Sequence, residues 1–62
     1  MNMKLKRDIL KALADPMSIS ALAQSLGMQR NELTGYLGAL EDLGLVKSTM
    51  IGRAKVYSVT EK

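Results

Sequence analysis

Only three residues, Gly27-Met28-Gln29, separate two stretches of helix-forming sequence. The first stretch, residues 20–26, is about two helical turns long and is followed by Gly27, at the position that takes a left-handed helix stop. The second stretch, residues 30–43, begins at once and ends before Gly44. The sequence therefore predicts two consecutive helices joined by a tight turn.

The second of these helices carries the strongest periodic pattern in the chain. Its apolar residues follow the spacing of one helical face: Leu33, Tyr36, Leu37, Leu40 and Leu43. The opposite face carries Asn31, Thr34, Gly35, Gly38, Glu41 and Asp42. We expect the first face to be buried and the second to be exposed.

The segment before this pair predicts another helix and a short strand. Residues 4–14 are helix formers, and the pattern stops at Asp15-Pro16 because proline disfavours the helical conformation in the residue before it. Residues 17–19 are apolar at both ends and suit a strand that closes the base of a small sheet. Ser18 or Ser20 is the candidate N-cap of the helix that follows.

The segment after Gly44 predicts a β-hairpin. Residues 45–51 and 55–60 are rich in β-branched residues, and residues 52–54 supply a turn between them. We expect one domain over residues 1–62, with the hairpin at residues 45–60.

Size limits how such a chain is stabilised. A chain of 62 residues has a small core, and the absence of Cys and His excludes disulfides, thiolate sites and imidazole sites. Self-association is the stabilising addition that remains. The apolar arc of the first helix holds Leu5, Ile9, Ala12 and Leu13, and is widened by Met3, Leu10 and Ala14. That helix is either deeply embedded in the core or pairs with a second copy. For a homodimer, the candidate interface is Met1, Met3, Leu10 and Ala14.

Composition also narrows the class of protein. No run approaches the ~18 apolar residues of a membrane span, and the N-terminus lacks a signal-peptide core. We expect a cytoplasmic protein, either associated with a prokaryotic nucleoid or encoded by a virus or plasmid, with no membrane partner. The net charge of +3 suits either a polyanionic partner or ordinary solubility.

The order helix, short strand, helix, tight turn, helix, hairpin is that of a winged helix-turn-helix, a mainly α fold with a small β-hairpin. Residues 19–46 resemble the DNA-binding core of ArsR- and MarR-type transcriptional regulators, and residues 52–60 resemble their wing. The most specific parts are Leu-Ala-x-x-Leu-Gly-Met at residues 22–28 and Leu-Glu-Asp-Leu-Gly-Leu-Val at residues 40–46. The resemblance implies a transcriptional regulator that binds double-stranded DNA.

The resemblance also implies that the helix at residues 30–43 enters the major groove. The polar side chains available near its start are Gln29, Arg30, Asn31 and Thr34. Arg can pair bidentately with guanine, and Gln or Asn can pair with adenine. The alternative is that these are solvated polar residues near a helix start.

The wing would contact a minor groove or the backbone through Lys47, Arg53 and Lys55, with no acidic residue between Leu43 and Thr60. The same charges also protect an edge hairpin from aggregation. Ser18 and Ser20 are candidate phosphate contacts at the start of a helix, with simple N-capping as the alternative.

Gly35 and Gly38 stand where related domains often present Arg, Lys or Ser, and Glu41 with Asp42 would repel phosphate. Either the bare backbone lets this helix lie close to DNA or to a partner helix, or base contacts have been lost and binding is loose.

The sequence bears on two other classes of function. Winged helices also serve as protein-interaction modules that never touch nucleic acid. An enzyme is not expected, because the chain lacks His, Cys, a credible carboxylate pair and a phosphate-cradling glycine loop. No cofactor or metal is predicted, which puts the metal sensing of ArsR-type proteins in doubt. Regulation would then act through abundance, dimerisation or another chain.

Overall fold

The computed structural model describes residues 3–60. Three helices alternate with three strands: α1 (Met3–Ala12), β1 (Met17–Ser18), α2 (Ile19–Leu26), α3 (Arg30–Asp42), β2 (Val46–Ile51) and β3 (Ala54–Val59). The predicted fold class, three helices with a short strand and a two-stranded wing, is confirmed.

The three strands form one antiparallel sheet in the order β1-β3-β2. The short strand β1 adds two rungs, Met17 opposite Tyr57 and Ser18 opposite Val56. The last rung of the wing pairs Ile51 with Ala54, so the turn contains two residues rather than the predicted three. A two-residue turn needs a positive φ, and Gly52 supplies it at 62°.

The core lies between the helices and the base of the sheet. Its buried residues are Ile9, Leu13, Ile19, Leu22, Ala23, Leu33, Leu37, Leu40, Val46 and Tyr57. The three leucines of α3 are fully buried, as their spacing predicts. Because they hold one side of α3 against the core, the opposite side is turned to solvent.

The sequence predicted one residue too many on the buried face of α3, because Leu43 is 66% exposed. Leu43 is the C-cap of the helix, and the chain turns at Gly44, whose φ is 76°. After this turn Val46 enters the core instead, at 3% exposure. The periodic pattern thus continues for one residue beyond the surface that it packs against.

The predicted end of α1 is also two residues too late. The N–H of Leu13 still bonds the carbonyl of Ile9 at 3.1 Å, but the N–H of Ala14 bonds Lys11, only three residues back, at 3.2 Å. The chain tightens into a turn before Pro16, whose ring disfavours helix in the preceding residue.

Ile19 begins α2, whereas the sequence suggests that it is the last residue of β1. Ser18 has extended backbone angles and its hydroxyl accepts a hydrogen bond from the N–H of Ala21 at 3.2 Å. Ser18 is therefore the N-cap, and Ser20 lies in the first turn of the helix. At the other end Gly27 takes the left-handed conformation, with φ 67°, as predicted.

Candidate nucleic-acid interface

The first turn of α3 presents polar side chains to solvent. Gln29, Arg30 and Asn31 are all exposed. Gln29 is the N-cap, with an extended backbone, yet its side chain makes no capping hydrogen bond. Its amide group is therefore not committed to the helix end and can meet an external partner.

Thr34 is differently placed, although it is exposed on the same helix. Its hydroxyl donates a hydrogen bond to the carbonyl of Arg30 at 2.8 Å, across one turn of α3. Threonine commonly satisfies its hydroxyl in this way inside a helix. The hydroxyl proton is engaged, and only the oxygen lone pairs and the methyl group remain for a partner.

Two glycines leave bare backbone on the solvent side of α3. Gly35 is exposed and Gly38 is half-buried. Apart from the adjoining residues and the local helix backbone, a Cβ atom at either position would meet no atom of the described residues within 4 Å, and neither glycine has a positive φ. The fold therefore gives no reason for glycine at these two positions.

Glu41 connects α3 to the wing, a contact that sequence reasoning missed. The hydroxyl of Ser48 on β2 donates a hydrogen bond to Oε2 of Glu41 at 3.3 Å. The sequence carried no signal for this pair, because it depends on how β2 lies against α3. Glu41 thus has a structural contact in addition to the phosphate-repelling role expected of it.

The three cations of the wing are divided between its two faces. Neighbouring residues of a strand point to opposite faces, and Lys55 lies opposite Met50 whereas Lys47 lies opposite Ser58. Lys47 and Lys55 therefore do not share a face. Lys47 lines a shallow cavity at the base of the wing with Leu13, Ala14, Pro16, Ser58 and Val59.

Lys55 lies on the face of Tyr57, with Nζ 5.4 Å from the centroid of the tyrosine ring. Tyr57 is itself buried, so the ring anchors the lysine at the rim of the core. A cation held over an aromatic ring in this way gains about 0.5–1 kcal/mol at exposed sites. Arg53 is exposed in the turn, beyond both lysines.

The structure therefore brings the predicted residues into two groups. Gln29, Arg30 and Asn31 form one group at the start of α3, and Arg53 with Lys55 forms the other at the outer part of the wing. Ser18 and Ser20 lie at the start of α2, where the Ser18 hydroxyl already accepts a bond from the helix.

The model of the IclR helix-turn-helix domain family matches residues 8–49 of the chain. The chain belongs to the IclR helix-turn-helix family. The matched segment contains α2, the turn and all of α3, but not the tip of the wing. The expected likeness to ArsR- and MarR-type regulators agrees with this at the level of the winged helix-turn-helix. Membership of a helix-turn-helix family also supports the expectation that the chain is not an enzyme.

Two solved structures share the fold of this IclR-type domain. HlyU from Vibrio cholerae N16961 superposes with a TM-score of 0.81 at 20% identity, covering 97% of this chain and 65% of that one. The transcriptional regulator HlyU from Vibrio vulnificus CMCP6 gives 0.82 at 18% identity, covering 98% and 64%. The chain thus spans less than two thirds of the length of either structure. No curated protein sequence matches it.

The predicted dimer face on α1 is more charged than its apolar residues suggest. A groove along this helix is lined by Met3, Lys6, Arg7, Leu10 and Lys11. Met3 is 74% exposed and Leu10 is half-buried, while Ala14 is exposed beyond the helix end. Met1 lies outside the described residues. Three cations therefore border two apolar side chains.

The part of the chain at residues 3–60 holds no group of three or more Asp or Glu side chains that could bind a metal ion. None of its helices has the length and apolar character needed to cross a bilayer.

Proposed function

We propose that this IclR-type domain binds double-stranded DNA and regulates transcription, with α3 in the major groove and the wing on a minor groove or the backbone. The observation that carries the proposal is the start of α3. There Gln29, Arg30 and Asn31 are exposed, on the second helix of a helix-turn-helix. This is the part of a recognition helix that reaches base edges.

The chemistry of these side chains supports base recognition. An arginine can donate two hydrogen bonds to guanine, and glutamine or asparagine can pair with adenine in the major groove. Gln29 is free of the capping role that its position invites. Arg30 and Gln29 are therefore the residues proposed to read sequence, and Thr34 is a secondary contact.

The wing supplies the electrostatic part of the proposal. Arg53 and Lys55 are exposed on its outer part, and the chain has no acidic residue from Gly44 to Thr60. Phosphate contacts position a protein on DNA without reading sequence. Lys47 lies at the base of the wing, away from its tip, so we propose it as the weakest contact of the three.

The bare face of α3 supports close approach. Each interior glycine costs a helix about 1 kcal/mol relative to alanine, and nothing within residues 3–60 fills the space beside Gly35 or Gly38. We therefore propose that a DNA backbone or base edge passes close to α3 at these glycines. If binding is loose instead, adding a methyl group at either glycine should cause no loss of affinity for DNA.

Binding to mixed-sequence duplex tests the proposal, with Arg30→Ala, Gln29→Ala and Thr34→Val compared with the unsubstituted chain. Loss of a good bidentate base contact costs about 1–3 kcal/mol of discrimination. We expect Arg30→Ala and Gln29→Ala to weaken binding, and Thr34→Val to change it less than about twofold, since the hydroxyl proton is engaged. No affinity for duplex at low salt would exclude DNA binding.

One observation favours the second candidate, a protein-interaction module. The flank of α3 has a shallow groove lined by Glu32, Gly35, Tyr36 and Ala39, which suits a partner helix better than a phosphate backbone. In that case Gly35→Ala would disturb a protein complex, and Arg53→Gln would have no effect on it.

A homodimer through α1 stays a prediction. Two copies joined at the groove on α1 would bring Lys6, Arg7 and Lys11 of each copy together. Like charges are screened by salt, so a dimer formed there would strengthen as salt rises, whereas DNA binding would weaken. Sedimentation at 50 mM and 500 mM salt, about a threefold change in screening length, distinguishes this dimer from a monomer. The cytoplasmic location also stays a prediction.

A further inference from the structure

We propose that the wing tip carries an apolar wedge, Ile51, which enters the DNA minor groove between two base pairs and bends the duplex. The inference rests on the DNA binding proposed above and adds an activity to it, the kinking of DNA. It places Ile51, a residue outside the polar set at α3, among those that contact DNA.

The first observation is that large apolar side chains stand exposed beside the turn of the wing. Met50 is 61% exposed and Ile51 is 63% exposed. Both precede the two-residue turn directly, where the described chain offers no core to cover them. A strand that only had to stay soluble would carry polar or charged side chains at these positions.

The second observation is the charge around them. Arg53 lies two residues beyond Ile51, in the turn. Lys55 lies opposite Met50 on one face of the hairpin, and Lys47 lies on the face of Ile51, nearer the base. No acidic residue occurs from Gly44 to Thr60. Apolar side chains flanked by cations, without anions, suit the minor groove, where phosphates line the walls and stacked bases form the floor.

The register of the hairpin favours Ile51 over Met50 as the wedge. Met50 shares a face with Lys55 and with the Ser48–Tyr57 rung, which looks towards the core and α3. Ile51 points to the other face, and its cross-strand partner is only Ala54. Isoleucine is also stiff at χ1, whereas methionine has three flexible torsions, so a smaller entropy loss accompanies insertion of Ile51.

The turn allows the tip to come close to DNA. Gly52 has no side chain, and its φ of 62° makes the two-residue turn possible. The tip therefore consists of Ile51, Arg53 and Ala54 on a narrow backbone. Proteins that insert an apolar side chain into a minor groove partly unstack one base step and bend the duplex by about 20–90° towards the major groove. Pyrimidine–purine steps such as TA deform most easily.

Fluorescence energy transfer between the two ends of a 30-base-pair duplex tests whether the protein bends DNA. Such a duplex is roughly one fifth of the persistence length of DNA and is therefore nearly straight when free. One duplex has a central TA step and a matched one has a central GC step. The proteins are the unsubstituted chain, Ile51→Thr and, as a control of equal exposure on the opposite face, Met50→Thr. Anisotropy on the same duplexes measures binding, so that transfer is compared at saturation.

We expect the unsubstituted chain to bend the TA duplex by at least about 20°, which brings its two ends closer and raises the transfer efficiency. Ile51→Thr should still bind, through its unchanged cations, and should lose the bend. Met50→Thr should bend the duplex as the unsubstituted chain does. Threonine suits strands, and circular dichroism checks that both variants are folded.

Four results would overturn the inference. Saturated binding without a bend removes the wedge and leaves the proposed DNA binding intact. A bend that is lost in Met50→Thr and kept in Ile51→Thr would show that the wedge is Met50 and not Ile51. Failure of the unsubstituted chain to bind either duplex at low salt removes both the wedge and the DNA-binding proposal. A free-protein dimer that Ile51→Thr dissociates, without any bend, would show that a second copy covers this residue.

Discussion

The hydroxyl of Ser48 donates a hydrogen bond to Oε2 of Glu41 across 3.3 Å, and this contact joins the wing to the last turn of α3. It links β2, a strand of the wing proposed to contact a minor groove or the backbone, to α3, the helix proposed to enter the major groove. The angle between the two parts of the interface therefore depends in part on one exposed hydrogen bond.

A double-mutant cycle on this pair gives the first prediction. Glu41→Ala, Ser48→Ala and the double variant should show a coupling free energy of about 0.5 kcal/mol in urea unfolding, because the bond is exposed. The matched control is Glu32→Ala combined with Ser48→Ala, since Glu32 is an exposed acid at the other end of the same helix. A coupling of zero for Glu41 and Ser48 would show that the bond does not hold the wing in solution.

Leu37 in α3 and Leu43 at its C-cap should differ in the cost of truncation to alanine. Leu37 is fully buried, and Leu37→Ala should lower the free energy of unfolding by about 2–5 kcal/mol, a large part of the stability of so small a domain. Leu43 is 66% exposed, and Leu43→Ala should change it by less than about 1 kcal/mol. Thermal unfolding followed by circular dichroism measures both. Equal losses would mean that Leu43 is covered in solution.

Alanine at two glycines should have opposite effects on stability. Gly35→Ala should raise the free energy of unfolding by about 0.5–1 kcal/mol, because the position is helical and nothing fills the space beside it. Gly27→Ala should lower it by about 1–2 kcal/mol, since Gly27 has a φ of 67°.

The same Gly35→Ala variant should bind duplex DNA more weakly while it is more stable. Close approach at this glycine predicts the weaker binding, and unchanged affinity would favour the loose-binding alternative. Stability is measured in urea and affinity by fluorescence anisotropy.

The tip and the base of the wing should differ in how salt acts on DNA binding. Arg53→Gln and Lys55→Gln should each reduce the slope of log affinity against log salt by about 1, as expected for one phosphate contact. Lys47→Gln removes the same charge from the base of the wing and should change the slope less. Equal slopes for all three variants would show that the base of the wing also reaches the phosphates.

The sequence predicted the parts of this fold that depend on local patterns. The leucine spacing in α3 identified Leu33, Leu37 and Leu40 as core, and Gly27 identified the left-handed stop of α2. These features follow from helical periodicity and from the conformational freedom of glycine, both of which are visible in neighbouring residues.

Features that depend on contacts between distant segments were missed. Leu43 was misassigned because only the return of the chain at Gly44 shows that Val46 takes the place in the core. The Glu41–Ser48 bond depends on how β2 lies against α3. Of the candidate site, the exposed side chains at the start of α3 could be found from sequence. The engagement of the Thr34 hydroxyl and the division of the wing lysines needed the structure.

Ser18 belongs to two parts of the molecule at once. It forms a rung with Val56 of the wing strand β3, and its hydroxyl caps the N-terminus of α2. Detachment of β1 from the sheet would therefore also release the Ala21 amide at the first turn of α2. In amide hydrogen exchange the wing base and the helix-turn-helix would open as a single cooperative unit, so that holding the wing on DNA would also slow exchange inside α2.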